Sequence, residues 1–323
     1  MNMKTGILTL LIALFPFWAA AAIADTDKYD KTIVVAPDGS GDYTSIGDAL
    51  KKLRGDSEEK VRIYVKNGVY NEKLLVNYTV NNLTIEGESR DSTVISNSDY
   101  ASLRNMGTSG SYTLRIDGNN ITLKNLSIEN NAGRVGQAVA LHTTGDRIHV
   151  KNCNIRGNQD TLYATGRNAR NLYDDCYIDG TVDFIFGAAT ALFRNCHIHA
   201  RGNGYLTAAS TAVDNPVGYV FYKCKVTAAD EASDVYLGRP WRPYAGTFFI
   251  ECELPANINP QGWHNWGKAE NEVTARYGEY LCSGPGADES RRVGWRKTIS
   301  PAEAAELTDP AVIFSSVSAW VPE

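Results

Sequence analysis

A solenoid of parallel β-coils, all-β with short capping helices, is the fold this sequence predicts, and three observations carry that prediction. A strand-like unit recurs as NNLTIEG at Asn81, NNITLKNLSI at Asn119, DRIHVKNCNI at Asp146, RNLYDDCYI at Arg170, TALFRNCHI at Thr190, GYVFYKCKV at Gly218 and GTFFIECEL at Gly246. Aligned on a fixed column, the units superpose Leu126, Cys153, Cys176, Cys196, Cys224 and Cys252, with steps of 27, 23, 20, 28 and 28 residues. No long amphipathic helix intervenes, and strands at a period of 20–30 residues fit coils that stack and bury one continuous core. Neither a sandwich nor a barrel predicts a single repeated cysteine column.

The elements follow in order. Met1 to Ala24 has Lys4, an apolar run from Ile7 to Phe17 and the small-residue stretch Ala22-Ile23-Ala24, which reads as a signal peptide whose removal leaves a mature chain from Asp25. Pro16 interrupts the run, and its length is short for a membrane span. A secreted, extracellular protein without a membrane partner is therefore expected. Residues 25–323 contain no Pro/Ser-rich linker and no long block of like charge, so one domain is expected. With 43% apolar residues, that domain can bury a sizeable core.

Thr32 to Ala36 reads as a strand ended by Pro37-Asp38-Gly39, and Val61 to Val65 alternates as a second strand. Between them Ile46, Ala49, Leu50 and Leu53 recur at helical spacing. A helix over Ser45 to Leu53 would cover the open first end of the solenoid, whose unpaired edges otherwise invite aggregation. Near the other terminus, Ser300-Pro301-Ala302-Glu303 combines an N-cap serine, proline at the first helical position and glutamate three after the cap. A helix through about Leu307 follows from it.

Stacked coils bring equivalent Cα atoms to about 4.8 Å, within the range a disulfide tolerates. The cysteine column fits one or two bridges, and it equally fits a row of buried thiols packed as small hydrophobes. Cys282 lies outside the column as aligned. There is no C-x-x-C or H-x-x-x-H spacing, so a zinc site is not expected. The formal net charge of −5 speaks against a nucleic-acid partner. Sequons begin at Asn77, Asn82, Asn120 and Asn125, although a stacked β-helix also uses asparagines at its bends.

The chemistry centres on Gln159 to Gly187, QDTLYATGRNARNLYDDCYIDGTVDFIFG. Asp160 and Asp183 are 23 residues apart, the same separation as Cys153 and Cys176. If that separation is one coil, the two carboxylates stack at about strand spacing. They then cannot both ionise easily, which makes one a neutral acid and leaves the other a nucleophile. Gln137 also precedes Asp160 by 23 residues, but the coil holding Leu126 is four residues longer, which places Gln137 further along its turn.

Five pentapeptides, GVYNE at Gly68 to Glu72, QAVAL at Gln137 to Leu141, QDTLY at Gln159 to Tyr163, DFIFG at Asp183 to Gly187 and LGRPW at Leu237 to Trp241, together resemble the pectin methylesterase family. The resemblance implies a right-handed parallel β-helix and a carboxylic ester hydrolase that needs no metal or organic cofactor. Its implied substrate is methylated homogalacturonan (pectin), from which it releases methanol, and its implied state is a monomer.

Carried over by motif, Asp183 resembles the nucleophile and Asp160 the general acid and then base. Gln137 and Gln159 resemble the donors to the anionic intermediate. Arg239 is expected to hold Asp183 ionised by lowering its pKa. Trp241, Phe186 and, in the GWHNW segment, Trp263 resemble sugar-contacting aromatics. The resemblance also favours a Cys176–Cys196 disulfide. Two rival readings remain at this stage. Carboxyls about 5 Å apart are also the geometry of a retaining glycoside hydrolase, and a non-catalytic polysaccharide-binding β-helix would keep the fold while losing the reaction.

Overall fold

Strands here are short, three to six residues in most cases, because each coil must turn three times; bends therefore decide the architecture. The computed structural model describes residues 28–166, 168–315, 318 and 320–321. The expected leader, Met1 to Ala24, lies outside the described residues. Among those described, the strands form three parallel sheets of eleven, seven and seven strands; between Val61 and Gly238 seven coils each contribute one strand to each sheet in turn, and the four further strands extend the largest sheet at its ends. Successive coils pair in register, as in Ile148↔Asn171 and Arg170↔Thr190 in the eleven-stranded sheet and Ile155↔Ile178 in one seven-stranded sheet. This is the parallel β-helix expected from the repeat.

The bend before the cysteine column explains the polar residue found there. Asn125, Asn152, Asp175, Asn195, Lys223 and Glu251 all have positive φ, between 49° and 56°. Asparagine and aspartate tolerate this left-handed conformation better than other non-glycine residues, and Asn152 donates from Nδ2 to Asn125 Oδ1 at 2.9 Å, so the bends are also laddered. Of the sequon asparagines, Asn82, Asn120 and Asn125 occupy such positive-φ bends.

Inside the coils, side chains from one register position stack. Tyr173, Phe193, Phe221 and Phe249 follow one another with ring centroids 4.6, 4.4 and 4.5 Å apart and planes 7° from parallel. The row ends on Glu279, paired with Phe249 in register. That carboxylate is buried and receives Arg292 Nε and Nη2, each at 2.9 Å.

The cysteines line the same core. Cys176 Sγ contacts Val150 O at 3.4 Å, Cys196 Sγ Tyr173 O at 3.3 Å and Cys224 Sγ Phe193 O at 3.3 Å. All six are free, so the expected Cys176–Cys196 bridge is not formed in the structure. All but Cys153 point at a carbonyl oxygen of the coil before; Cys153 Sγ lies 3.3 Å from Lys151 O of its own coil. Cys282 continues this column rather than standing outside it, with Sγ 3.4 Å from Phe249 O, as Cys252 Sγ is 3.3 Å from Phe221 O.

The helix at the first end is Ile46–Leu50, shorter than the Ser45 to Leu53 expected. Ser45 caps it, and the Glu72 carboxylate accepts from the backbone N–H of Ile46 at 2.9 Å and of Gly47 at 2.8 Å. Ile46 and Ala49 are buried against the first coil. The helix Pro301–Thr308 has the expected capping box. It does not close the far end, however. With Pro310–Ile313 it lies on the outward face of the eleven-stranded sheet, where Ile299, Ala304, Ile313 and Phe314 bury Leu172, Leu192, Val220 and Phe248. That outward column turns apolar from Leu172 onward, after Thr122 and His149, and so requires a cover. Among the described residues no helix is long and apolar enough to cross a membrane.

Glu279→Gln leaves Arg292 buried beside a neutral amide. Removal of one partner of a buried pair costs about 3–5 kcal/mol, which urea unfolding of the two proteins should register.

Candidate active site

The site forms on the outward face of the seven-stranded sheet that contains Leu141–Thr143, Leu162–Ala164 and Ile185–Gly187. Just ahead of these strands the chain is held by two backbone hydrogen bonds, Ala138 N–H to Gln159 O at 3.1 Å and Asp160 N–H to Val182 O at 3.2 Å. In a parallel ladder this pattern sets Ala138, Asp160 and Asp183 level. The two aspartates are therefore neighbours across one coil, as their spacing predicts. Gln137 falls level with Gln159, one position earlier than its 23-residue separation from Asp160 suggests. Both aspartates adopt positive φ, 65° for Asp160 and 53° for Asp183, and so begin their strands from a bend.

A cavity of about 400 Å³ opens above them. Gln137, Gln159, Asp160, Asp183 and Arg239 line it together with the aromatic rings of Phe186, Trp241 and Trp266. Asp160 and Asp183 keep only 8% and 6% of their surface. The two carboxyls differ in their partners. Arg239 reaches Asp183 as a bidentate fork, Nε to Oδ1 at 2.9 Å and Nη2 to Oδ2 at 2.7 Å. The guanidinium is sandwiched between the rings of Tyr205 and Trp266, with Cζ 3.9 and 3.8 Å from their centroids. Two π-faces and a carboxylate fix its position.

These surroundings separate the carboxyls electrostatically. Burial, and then the charge of Asp183, push Asp160 up to about 8, with Arg239 opposing. Burial also raises Asp183, although its hydrogen bonds and charge contact with Arg239 pull the other way. Arg239 acts in the lowering direction expected of it, but desolvation exceeds its effect and the net shift is upward. The two carboxyls nevertheless stay unlike, because the guanidinium fork is on Asp183 and Asp160 has none. Of the two carboxyls, Asp160 is the one favoured to hold a proton, and Asp183 is the one paired with the arginine.

The aromatic floor is a second register row. His142, Tyr163 and Phe186 are consecutive partners across the sheet, with centroids 4.3 and 4.2 Å apart. Trp241 stands at the edge, 6.0 Å from Phe186 and tilted by 59°. Burial brings the His142 imidazole down to about 4, which keeps it neutral in this row.

Trp263 does not join the site. Its bridge to Gly238 turns the indole inward, where it is fully buried 4.6 Å from Tyr277. The half-buried Trp266, three residues on and at φ 64°, occupies the place expected for Trp263. Sequence reasoning missed Trp266, Tyr205 and Tyr163, as well as Thr108 and Ser109 at the cavity's rim. The second tryptophan of GWHNW was the available signal for the first of these.

The family model described as Pectinesterase matches residues 32–315. The chain is 37% identical over 288 residues to "Pectinesterase 31" of Arabidopsis thaliana, covering 86% of this chain and 90% of that protein. A pectin methylesterase from carrot superposes with a TM-score of 0.83 at 33% identity, covering 88% of this chain and 92% of the carrot chain. A pectin methylesterase in complex with a hexasaccharide superposes with a TM-score of 0.77 at 30% identity, covering 91% of this chain and 99% of that one.

The raised Asp160 has a signed consequence for stability. An unfolded aspartate loses its proton near 3.9, whereas the native one holds it to about 8. Across that window the native state binds the extra proton, so stability falls as pH rises and levels off above the folded value. Asp160→Asn should therefore unfold at a higher temperature than the parent at pH 8, by a margin on the order of a few kcal/mol, and close to the parent at pH 4. Thermal unfolding at the two pH values checks this, and a pH-independent difference contradicts it.

Proposed function

This chain belongs to the pectinesterase family, and we propose that it hydrolyses the methyl esters of galacturonate residues in pectin, leaving a carboxylate and releasing methanol. The observation that carries the reading is the asymmetric pair: a protonated Asp160 beside an Asp183 gripped by Arg239 at 2.9 and 2.7 Å.

In this reading the Asp183 carboxylate attacks the ester carbonyl carbon, whose oxygen takes the negative charge. The side-chain amides of Gln137 and Gln159, on the same wall of the cavity, donate to that oxyanion. Collapse expels methoxide, which takes the Asp160 proton and leaves as methanol. The resulting acyl-enzyme is an anhydride between Asp183 and the sugar acid. Asp160, now a carboxylate, accepts a proton from water as the water oxygen attacks the anhydride. That step returns Asp183 as carboxylate and Asp160 as acid.

Phe186, Trp241 and Trp266 line the cavity and offer flat apolar faces to pyranose rings. We read residues 1–24 as a leader and 25–323 as one catalytic unit that acts outside the cell as a monomer.

The direct test is methanol release from highly methylated homogalacturonan, with reducing ends followed in parallel. Methanol at constant chain length is expected, and new reducing ends without methanol would overturn the reading in favour of glycosidic cleavage. Asp183→Ala should abolish turnover, and Asp160→Asn should lower kcat by about 10²- to 10⁴-fold, the usual share of general acid–base catalysis.

The two tryptophans should separate cleanly. Trp263→Ala is expected to cost about 3–5 kcal/mol of stability. Trp266→Ala should instead raise KM by roughly five- to thirty-fold, the equivalent of one or two kcal/mol of lost aromatic contact. Unfolding curves and steady-state kinetics on both variants decide it.

A further inference from the structure

The rim of the cleft is supplied by an irregular segment between the strands Thr93–Asn97 and Leu114–Ile116. It makes two single-turn 3₁₀ helices, Leu103–Asn105 and Thr108–Gly110, neither of which buries a residue. Arg104, Asn105 and Gly107 have positive φ. Thr108 and Ser109 from this segment line the same cavity as the aspartates. A loop with no apolar anchor in its own turns depends on polar contacts for its position.

Two side chains from outside the loop tie its ends: Asn130 Nδ2 donates to Asp99 O at 2.8 Å and to Ser111 O at 3.0 Å from the buried side, and Lys73 carries the charged contacts on the solvent side. Lys73 Nζ donates to Asp99 Oδ2 at 2.6 Å, at the loop's start, and to Gly110 O at 2.6 Å, at its end. It also lies 3.9 Å from Met106 Sδ and 4.7 Å from the Tyr112 ring centroid. Tyr112 in turn packs on the apolar cluster of Val139, Phe186 and Ala208 under the cleft. The ammonium thus closes the loop on itself and seats it on the site. The loop's opposite side hydrogen-bonds to the catalytic wall, where Ala101 N–H donates to Gln137 O at 2.8 Å.

We propose that Lys73 is a positioning residue for substrate binding: by tying Asp99 to Gly110 it holds Thr108 and Ser109 as one wall of the cleft. Lys73 is only about a third exposed, and its charge is matched by Asp99, so its contacts are those of a clamp. The inference rests on the esterase reading for its kinetic consequence, but the clamp itself does not.

The test compares Lys73→Met, which keeps the stem and removes the charge, with Lys73→Arg, which keeps a charged donor. Lys73→Met should raise KM for methylated homogalacturonan by about five- to twenty-fold with kcat within about two-fold, the equivalent of losing charge-assisted hydrogen bonds made in ground and transition states alike. Lys73→Arg should recover most of that loss. In Lys73→Met, amide hydrogen exchange across residues 98–111 should accelerate about ten-fold or more, while the strands Leu162–Ala164 and Ile185–Gly187 keep the parent's protection.

Unchanged KM with unchanged exchange in the loop would overturn the proposal, as would equal losses of kcat and thermal stability without a KM effect. If the parent released no methanol, the esterase reading would fail. The exchange comparison would still decide whether Lys73 sets the loop.

Discussion

The hydrogen bond from Asp160 N–H to Val182 O is the constraint on which the site depends. It is an ordinary rung of a parallel ladder, yet it fixes two aspartates from successive coils at the same height, where neither can withdraw from the other. Both begin a strand from a left-handed bend, so their side chains leave the coil at equivalent angles. Stacking them in a shallow, partly dry cleft raises the proton affinity of each through desolvation, and the charge on one raises that of the other. Symmetry is broken by one guanidinium. Arg239 is wedged between Tyr205 and Trp266 and reaches Asp183.

Such an arrangement is costly to hold, and the solenoid around it is built to resist relaxation. The inward stack from Tyr173 to Phe249 runs with nearly parallel planes and spacings close to the strand repeat. The outward row of His142, Tyr163 and Phe186 repeats the device beneath the cleft. A coil cannot shift by one residue without moving every ring in these rows to the wrong face. The dipoles and charges that would meet a developing oxyanion are therefore in place before the reaction begins. The rim is made differently: the segment over residues 98–111 is held mainly by hydrogen bonds, from Lys73 and from Asn130, to its two ends.

Much of this was legible in the sequence, because repetition is visible there. The cysteine column and its steps gave the coil, and the 23-residue spacing of Asp160 and Asp183 gave the pair. What could not be read was which way a side chain turns where the repeat breaks. Trp263 and Trp266 sit in one irregular segment, and only the bridge from Gly238 to Trp263 shows that the first points inward. Cys282 follows a longer step and was left out of the column it continues. The free Cys176 and Cys196 reflect thiols directed at backbone carbonyls, a preference that spacing alone does not reveal. The C-terminal helix was identified by its capping box, but not the sheet face that it covers. The lowering of Asp183 by Arg239 is legible in the motif, but the larger opposing effect of burial is not.

The account stands on a proton held by Asp160 because of its stacked neighbour. A ¹³C NMR titration of the Asp160 carboxyl, in the parent and in Asp183→Asn, tests it most directly. The account predicts a midpoint of about 8 in the parent and a clear downward movement when the neighbouring charge is removed, with burial still holding the value above that of an ordinary aspartate. A parent midpoint near the ordinary 3.9, or one that does not move in Asp183→Asn, would contradict it.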